Sequence, residues 1–300
     1  MIKLPLGVDI KNLIVDLRNF SWESSEILLY YAQIIKDSNN RINIISNDNV
    51  EDPVTLADLK VNEKIIQRIN EKYQNICWEI LSEENAKISE QKFNYDSKWV
   101  WILDPLDGTR DFIQGTNNYA MHLALNHQKK PLIGIVLIPE RNELWIANGK
   151  DVWCETRDGS RKKFQMTRNK TLREMTLITS KNHRNKTLNK LIQKVNFKSV
   201  LVMGSIGCKI AAIVRGECDI YITLSLPGQS CPKDWDFAAP SAILKAAGGA
   251  ITNINNEELS YGKLNFDQGG IIVASNNINS HKRVCLEIKE IIKKYDLYPL

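Results

Sequence analysis

Residues 101–112 read Trp-Ile-Leu-Asp-Pro-Leu-Asp-Gly-Thr-Arg-Asp-Phe (WILDPLDGTRDF), an apolar run that meets two carboxylates three positions apart, then a glycine, a hydroxyl and a charged pair. The apolar part of residues 99–103 reads as a buried strand. Asp104 ends it, and Pro105 biases Asp104 towards extended backbone, so the carboxylate leaves a strand end rather than a helix surface. Gly108 permits a tight turn, and Thr109 adds a hydroxyl and a backbone N–H. Asp104, the Leu106 carbonyl and Asp107 form an all-oxygen donor set, suited to a hard cation such as Mg²⁺ with ligands at about 2.0–2.1 Å. Taken alone, the hexapeptide 104–109 also reads as a polar turn.

Acids elsewhere in the chain bear on that choice. Glu83 and Glu84 follow an apolar run, 76–81, that reads as a neighbouring strand, so its terminal carboxylates would share a crevice with Asp104. Adjacent residues on a strand face opposite ways, which predicts one glutamate as a direct ligand and the other as its support. Asp58 opens a periodic helix whose apolar face is Val61, Ile65, Ile66, Ile69 and Tyr73. Asp236 opens another, with Pro240 expected in its first turn, where the missing N–H costs least. Taken alone, each of these two aspartates reads more readily as a plain helix cap.

Around these points the chain alternates. A helical pattern over 9–36 and short extended pieces at 42–46 and 53–55 precede the Asp58 helix. Strands are expected at YAMHLALNH, PLIGIVLIP and ELWIANG, followed by a basic, polar junction at about 160–175. Beyond it, strands MTLITS, KSVLVMGS, CDIYITLS and IIVASN are interleaved with helices over 185–195, 205–215, 236–247 and 279–294. The pattern predicts an α/β protein of two coupled halves, 1–172 with the first acids and 173–300 completing the site.

With 300 residues, 43% hydrophobic and 25% charged, the chain can bury a sizeable core. Forty Lys and Arg against 35 Asp and Glu give +5, and the excess is scattered. That argues against a nucleic acid polymer as partner and is compatible with a small anionic substrate. Six cysteines without CxxC spacing read as reduced thiols. Pro5, Asp9 and Lys11 interrupt the N-terminal apolar stretch, and no run approaches the roughly 18–20 residues of a membrane span. The expectation is a cytoplasmic protein without a membrane anchor; a homodimer is left open.

PVTLAD ending at Asp58, EE at 83–84, DPLDGT at 104–109 and WDFAA at 235–239 occur in that order over most of the chain. This set resembles the Mg²⁺-dependent, lithium-sensitive phosphomonoesterases of the inositol monophosphatase superfamily, and the resemblance implies their layered α/β/α/β/α sandwich. It also implies that Glu83, Asp104 and the Leu106 carbonyl hold one Mg²⁺, that Asp104, Asp107 and Asp236 hold a second, and that a third lies near Glu83. Glu84 would support the ligands, and Asp58 with Thr109 would orient and deprotonate the attacking water. Metals about 3.5–4 Å apart can clamp the attacking and leaving oxygens in line. Gly108 and Thr109 N–H groups, with Ser205 ahead of the 205–215 helix, are expected to hold phosphate oxygens. A haloacid-dehalogenase-like DxDGT reading is excluded, because its nucleophilic position is Pro105 here.

The tail Arg110-Asp111-Phe112 departs from the DGTTNF of inositol phosphatases and is similar to the CysQ-like 3'(2'),5'-bisphosphate nucleotidases of sulfur metabolism. That likeness implies removal of the 3'-phosphate of adenosine 3',5'-bisphosphate, with an inositol-1-monophosphatase as the alternative. A non-catalytic metal- and nucleotide-binding sensor would show a lost ligand, and none is lost. Arg110, Lys209 and Lys233 are candidates for a second phosphate. The loop before Asp58 lacks a lysine common in these families. His122 and His127 are spaced wrongly for a metal pair and read as core or surface residues.

Overall fold

A computed structural model describes residues 4–37, 45–47, 54–88, 97–162, 164, 166, 169–181 and 184–300. Most of the loop before Asp58 lies outside the described residues, as do 42–44 of the first extended piece.

Helices α1 (Ile10–Lys36) and α2 (Leu56–Lys72) form the first layer. Asp9 caps α1 by accepting the Lys11 and Asn12 N–H groups, each at 3.0 Å. Between the two helices, the short strands β1 (Ile45–Asn47) and β2 (Val54–Thr55) pair with each other.

The second layer is a seven-stranded sheet in simple sequential order. It comprises β3 (Glu79–Ser82), β4 (Trp99–Asp107), β5 (Ala120–His127), β6 (Lys130–Ile138), β7 (Glu143–Ala147), β8 (Val152–Glu155) and β9 (Arg161–Lys162). Only the β3–β4 pair is parallel. Two short helices, α3 (Glu83–Ile88) and α4 (Thr109–Ile113), follow β3 and β4.

The remaining layers come from the C-terminal part of the chain. Strand β10 (Thr176–Ser180) leads through α5 (Lys186–Val195) to β11 (Ser199–Met203), α6 (Ile206–Val214) and β12 (Ile220–Ser225). Helix α7 (Asp234–Ala246), β13 (Ala250–Asn253), β14 (Gly270–Ser275) and α8 (Ile278–Lys294) complete it. The five strands are ordered β11-β10-β12-β14-β13.

Strand alternation separates the cores. Trp101, Leu103, Met121, Leu123, Leu125, Ile133 and Ile135 face α1 and α2. Val100, Ile102, Ala124 and Val136 face inward, where α6 and α7 fill the space up to Tyr221, Ile272 and Ala274 of the second sheet. Ile220, Ile222, Leu224, Ile271 and Val273 point outward onto α5 and α8. At about 1.5–3 kcal/mol for each fully buried aliphatic side chain, these three layers supply the main driving force for the fold. The result is an α/β/α/β/α sandwich with α6 and α7 as its middle layer. Gly134 on β6 is matched to this packing, since a Cβ there would lie 2.7 Å from both Ala239 O and Ala242 Cβ of α7.

Several element boundaries differ from expectation. Strand β3 starts at Glu79 rather than at 76, and Glu83 and Glu84 open α3 instead of ending a strand. Helix α2 begins at Leu56 with Thr55 as cap, which leaves Asp58 at its third position. Helix α7 begins at Asp234, so Asp236 is also a third residue and Pro240 falls in the second turn. There the proline has no N–H to give the Asp236 carbonyl, whereas in a first turn nothing would be lost.

Candidate active site

Strand β4 does not stop at Asp104 but runs on through Pro105 to Asp107. Asp104 pairs with His122 and Asp107 with Ala120, so three steps on β4 match two on β5. This one-residue bulge is what aligns the two acids. In a regular strand, residues three apart face opposite ways; here both lie on the face of His122 and Ala120, towards the middle layer. Pro105, which has no N–H for a ladder, sits within the irregularity. Asp104 Oδ1 accepts the Leu106 N–H at 3.0 Å.

Asp236, from the first turn of α7, meets them. Ligand oxygens of Asp104, Asp107 and Asp236 all lie within 4.8 Å of one another. Burial holds the Asp104 carboxyl well above its ordinary range, reinforced by the charges of Glu83, Asp107 and Asp236 and by a hydrogen bond with Glu83. Asp236 is raised by burial and then by Asp107 and Glu83, against the pull of the Lys233 N–H, which it accepts at 2.6 Å. Crowded, desolvated carboxylates of this kind are stabilised by a shared cation. The all-oxygen donor set therefore fits a hard divalent ion.

Asp107 has a second task. Its Oδ2 accepts the Ser205 hydroxyl at 2.6 Å, the Gly207 N–H at 3.1 Å and the Ile206 N–H. A strand carboxylate thus closes the positive end of a helix about a hundred residues away. The expectation that Ser205 and this helix start would present an anion site to substrate is corrected to that extent, since these groups point at Asp107. Ser205 Oγ also accepts the Cys208 N–H at 3.1 Å. His122 Nε2 stands 3.2 Å from Asp107 Oδ2 without the alignment of a hydrogen bond. Burial lowers the His122 pKa. A Cβ on Gly207 would run into the His122 ring, and one on Gly204 into the Asp111 carboxyl, so both glycines allow close approach. His127 stacks on Trp99, with ring centroids 4.2 Å apart.

On the other side of the bulge, Thr109 Oγ1 donates to Leu106 O at 2.9 Å and lies 3.3 Å from Asp58 Oδ1. Asp58 Oδ2 accepts the Thr55 N–H at 2.8 Å and the Thr55 hydroxyl at 2.5 Å. Burial pushes the Asp58 carboxyl up to about 8; the Thr55 bonds oppose this, and Glu84 and Glu83 add to it. Gly108, at φ 91°, turns the chain between β4 and α4. A Cβ there would lie 2.9 Å from Asn118 O, so glycine is required on two counts. Glu83 is paired with Lys87 at 2.9 Å, and the buried Glu84 lies 3.5 Å from the same ammonium.

Glu83, Asp104, Asp107 and Asp236 floor a cavity of about 870 Å³, with Asp58 and Glu84 behind them. Its walls carry Arg110, Lys209 and Lys233, as expected, and also Lys87, Lys181 and Arg184. Lys209 is 2% exposed, with Nζ 3.4 Å from Met203 O and 5.2 Å from the centre of the Tyr221 ring. Burial lowers its pKa, opposed by Asp107. Lys233 Nζ is occupied by Asp267 Oδ1 at 2.5 Å and Asn265 O at 3.3 Å. Asp111 is buried and accepts the Thr116 hydroxyl at 2.9 Å, which makes it a brace for the turn. Lys181 and Arg184 lie outside every motif. The signal that could have found them is their place just beyond β10, because ligands gather at the carboxyl ends of parallel strands. Leu264 and Phe266, also on the cavity, gave no sequence signal.

All six cysteines are free thiols, and among the described residues no helix is long and apolar enough to cross a membrane.

The chain is similar to known proteins. A model of the inositol monophosphatase family matches residues 15–293. The 3'(2'),5'-bisphosphate nucleotidase CysQ of Buchnera aphidicola is 30% identical over 182 residues, or 61% of this chain and 64% of that protein. This chain therefore spans just under two thirds of that relative. CysQ of Salmonella typhimurium is 28% identical over 211 residues, 70% of this chain and 80% of its own. The extragenic suppressor protein SuhB from Bartonella henselae superposes with a TM-score of 0.73 at 21% identity, over 94% of this chain and 99% of that one. With the acidic blocks brought to one cavity floor and the family pattern running through 15–293, the chain belongs to the inositol monophosphatase family of metal-dependent phosphatases.

Proposed function

We propose that the protein is a 3'(2'),5'-bisphosphate nucleotidase that hydrolyses the 3'-phosphate of adenosine 3',5'-bisphosphate. One observation carries the reading: a floor of buried carboxylates faces a rim of several cations within a single cavity. A substrate with one phosphate would need the floor; a second phosphate gives the rim its purpose. The names of the curated relatives support the same choice.

In this reading Asp104, Asp107 and Asp236 hold Mg²⁺, with Glu83 and the Leu106 carbonyl completing the set and Glu84 steadying Glu83. An ion held there would supply neutralisation of the phosphate charge and a more acidic water. Asp58 and Thr109 orient that water. In its ionised form Asp58 would act as the base, and its contact with the Thr109 hydroxyl gives the proton a route. Gly108 and Thr109 line the cavity beside the floor, where their N–H groups would meet phosphate oxygens. Lys209, Lys181, Arg184 and Arg110 would receive the second phosphate.

Phosphate release is measured from adenosine 3',5'-bisphosphate and from inositol 1-phosphate, each with Mg²⁺ and with EDTA. The expected result is Mg²⁺-dependent release with a clear preference for the nucleotide. A preference for inositol 1-phosphate overturns the substrate, and no release from either ester overturns the activity.

A further inference from the structure

Residues 262–268 (Gly-Lys-Leu-Asn-Phe-Asp-Gln) join β13 to β14 outside any helix or strand, yet they are tied down at both ends to the start of α7. Asp234, fully buried, accepts the Gly262 N–H at 2.7 Å and the Gln268 Nε2–H at 2.6 Å. The Gln268 N–H donates to Pro232 O at 2.8 Å. Lys233 grips the middle of the segment through Asp267 and the Asn265 carbonyl. The loop is therefore pinned by Pro232, Lys233 and Asp234, the three residues that immediately precede Trp235 and lie next to Asp236 of the floor.

These ties hold something that a loop would not adopt unaided. Phe266 has φ 60°, in the left-handed region that favours glycine, and its ring tilts against Trp235 with centroids 5.6 Å apart. Held in this way, Phe266 and Leu264 both line the cavity, and Leu264 is 70% exposed. Phe266 packs on the core on one side and lines the cavity on the other, and backbone strain held by surrounding bonds at a ligand cavity points to recognition. Phosphates and sugar hydroxyls gain nothing from an apolar surface, whereas a flat heterocycle does.

We propose that Leu264 and Phe266 form the wall that receives the heterocyclic base of the substrate, with Phe266 as its stacking partner. The proposal rests on the nucleotide reading above and adds to it the residues that distinguish a nucleoside ester from a sugar phosphate. Lys233 and Asp234 are then positioning residues, acting through the loop they hold.

The test compares adenosine 3',5'-bisphosphate with ribose 3,5-bisphosphate, the same ester without its base, using wild type, Phe266→Ala, Phe266→Trp and Leu264→Ser. Base–aromatic stacking corresponds to roughly a ten-fold or larger change on alanine substitution. Phe266→Ala is expected to lower the ratio of kcat/KM for the nucleotide over the baseless ester about ten-fold, mainly through KM. Phe266→Trp should restore the ratio, and Leu264→Ser, at an exposed position, should lower it by a smaller factor. Equal losses on both esters, or an unchanged ratio in Phe266→Ala and Leu264→Ser, overturn the base wall while leaving the nucleotidase reading intact. A wild type that hydrolyses inositol 1-phosphate and neither bisphosphate overturns both.

Discussion

Asp104 and Asp107 sit on a strand enclosed between layers and are 1% and 8% exposed, whereas Lys181 and Arg184, on the facing rim, are exposed and hang beyond the end of β10. The floor is built from acids crowded together away from solvent, and Lys181 and Arg184 of the rim stand in water. The difference teaches where rigidity is needed. A cation site requires oxygens fixed against their mutual repulsion, which a sheet bulge and two helix starts can do. Recognition of a distal phosphate tolerates long side chains that can swing to meet it; Lys181 rests against Gln114 Oε1 at 2.6 Å. The two regions should therefore fail differently when altered.

The largest effect is expected from the floor. Asp104→Asn should lower kcat by about 10²–10³-fold or more, the scale of losing one key electrostatic group. In EDTA the same variant should melt no lower than wild type, because it removes a repelling charge. By contrast, Lys181→Ala should act mainly on KM for the bisphosphate, by about ten-fold or less, and a kcat loss like that of the floor variant would erase the distinction. Steady-state kinetics with thermal melts check both.

Added Mg²⁺ sharpens the comparison thermodynamically. At a hundred times its dissociation constant, a ligand of the folded state contributes about 2.7 kcal/mol. For a chain of this size that corresponds to a rise of a few degrees in Tm. The rise should be present in wild type and absent in Asp104→Asn; equal rises in the two would place the ion elsewhere.

Gly108→Ala tests the hinge between the floor and α4. A side chain at φ 91° with its Cβ 2.9 Å from Asn118 O should destabilise the protein by about 1–2 kcal/mol and reduce activity as well. A neutral result in chemical denaturation would mean that the turn can relax.

With pH, two buried groups respond in opposite senses. Asp58, raised to about 8 from 3.8, favours folding while it is protonated. Its contribution in metal-free protein is present below about pH 4 and is lost as pH rises through 8. His281 is lowered to about 4 from 6.5 and is held neutral between Ser275 Oγ at 2.7 Å and Thr252 Oγ1 at 2.8 Å. Its contribution is present above 6.5 and is lost as pH falls through 4. Melts of Asp58→Asn and His281→Gln in EDTA from pH 4 to 9 should flatten the alkaline and acidic limbs respectively.

The acids of the floor were legible because their chemistry is concentrated in short blocks: DPLDGT and WDFAA name their oxygens directly. Their common face was not, because it depends on a register shift that only the pairing of β4 with β5 reveals. Glu83 and Glu84 read as a strand end because the apolar run before them outweighs a local helix-start signal, Ser82 followed by two acids. Pro240 misleads for a related reason: Asp236 looks like the first residue of α7 but is its third. The two-layered alternation of the C-terminal strands was readable from periodicity alone, and the three cores follow it. Arg110, Lys209 and Lys233 of the rim were legible beside the motifs, whereas the Leu264–Phe266 wall left no trace, since its loop carries neither period nor motif and its position is set by tertiary bonds such as those of Asp234.

The bulge between Asp104 and Asp107 makes the length of this segment as consequential as its composition. Deleting Leu106 would restore a regular ladder and keep every acidic residue in the chain. Yet the two aspartates would then stand two apart with no irregularity to bridge, and the turn at Gly108 would be drawn back by one step, away from Asn118 and the start of α6 that it now touches. Adding a residue instead would swing Asp107 round to the side of Leu103 and Met121, an ionised group among aliphatic side chains. Lineages carrying this fold should therefore vary freely in the loops around it while holding the count between these two positions constant.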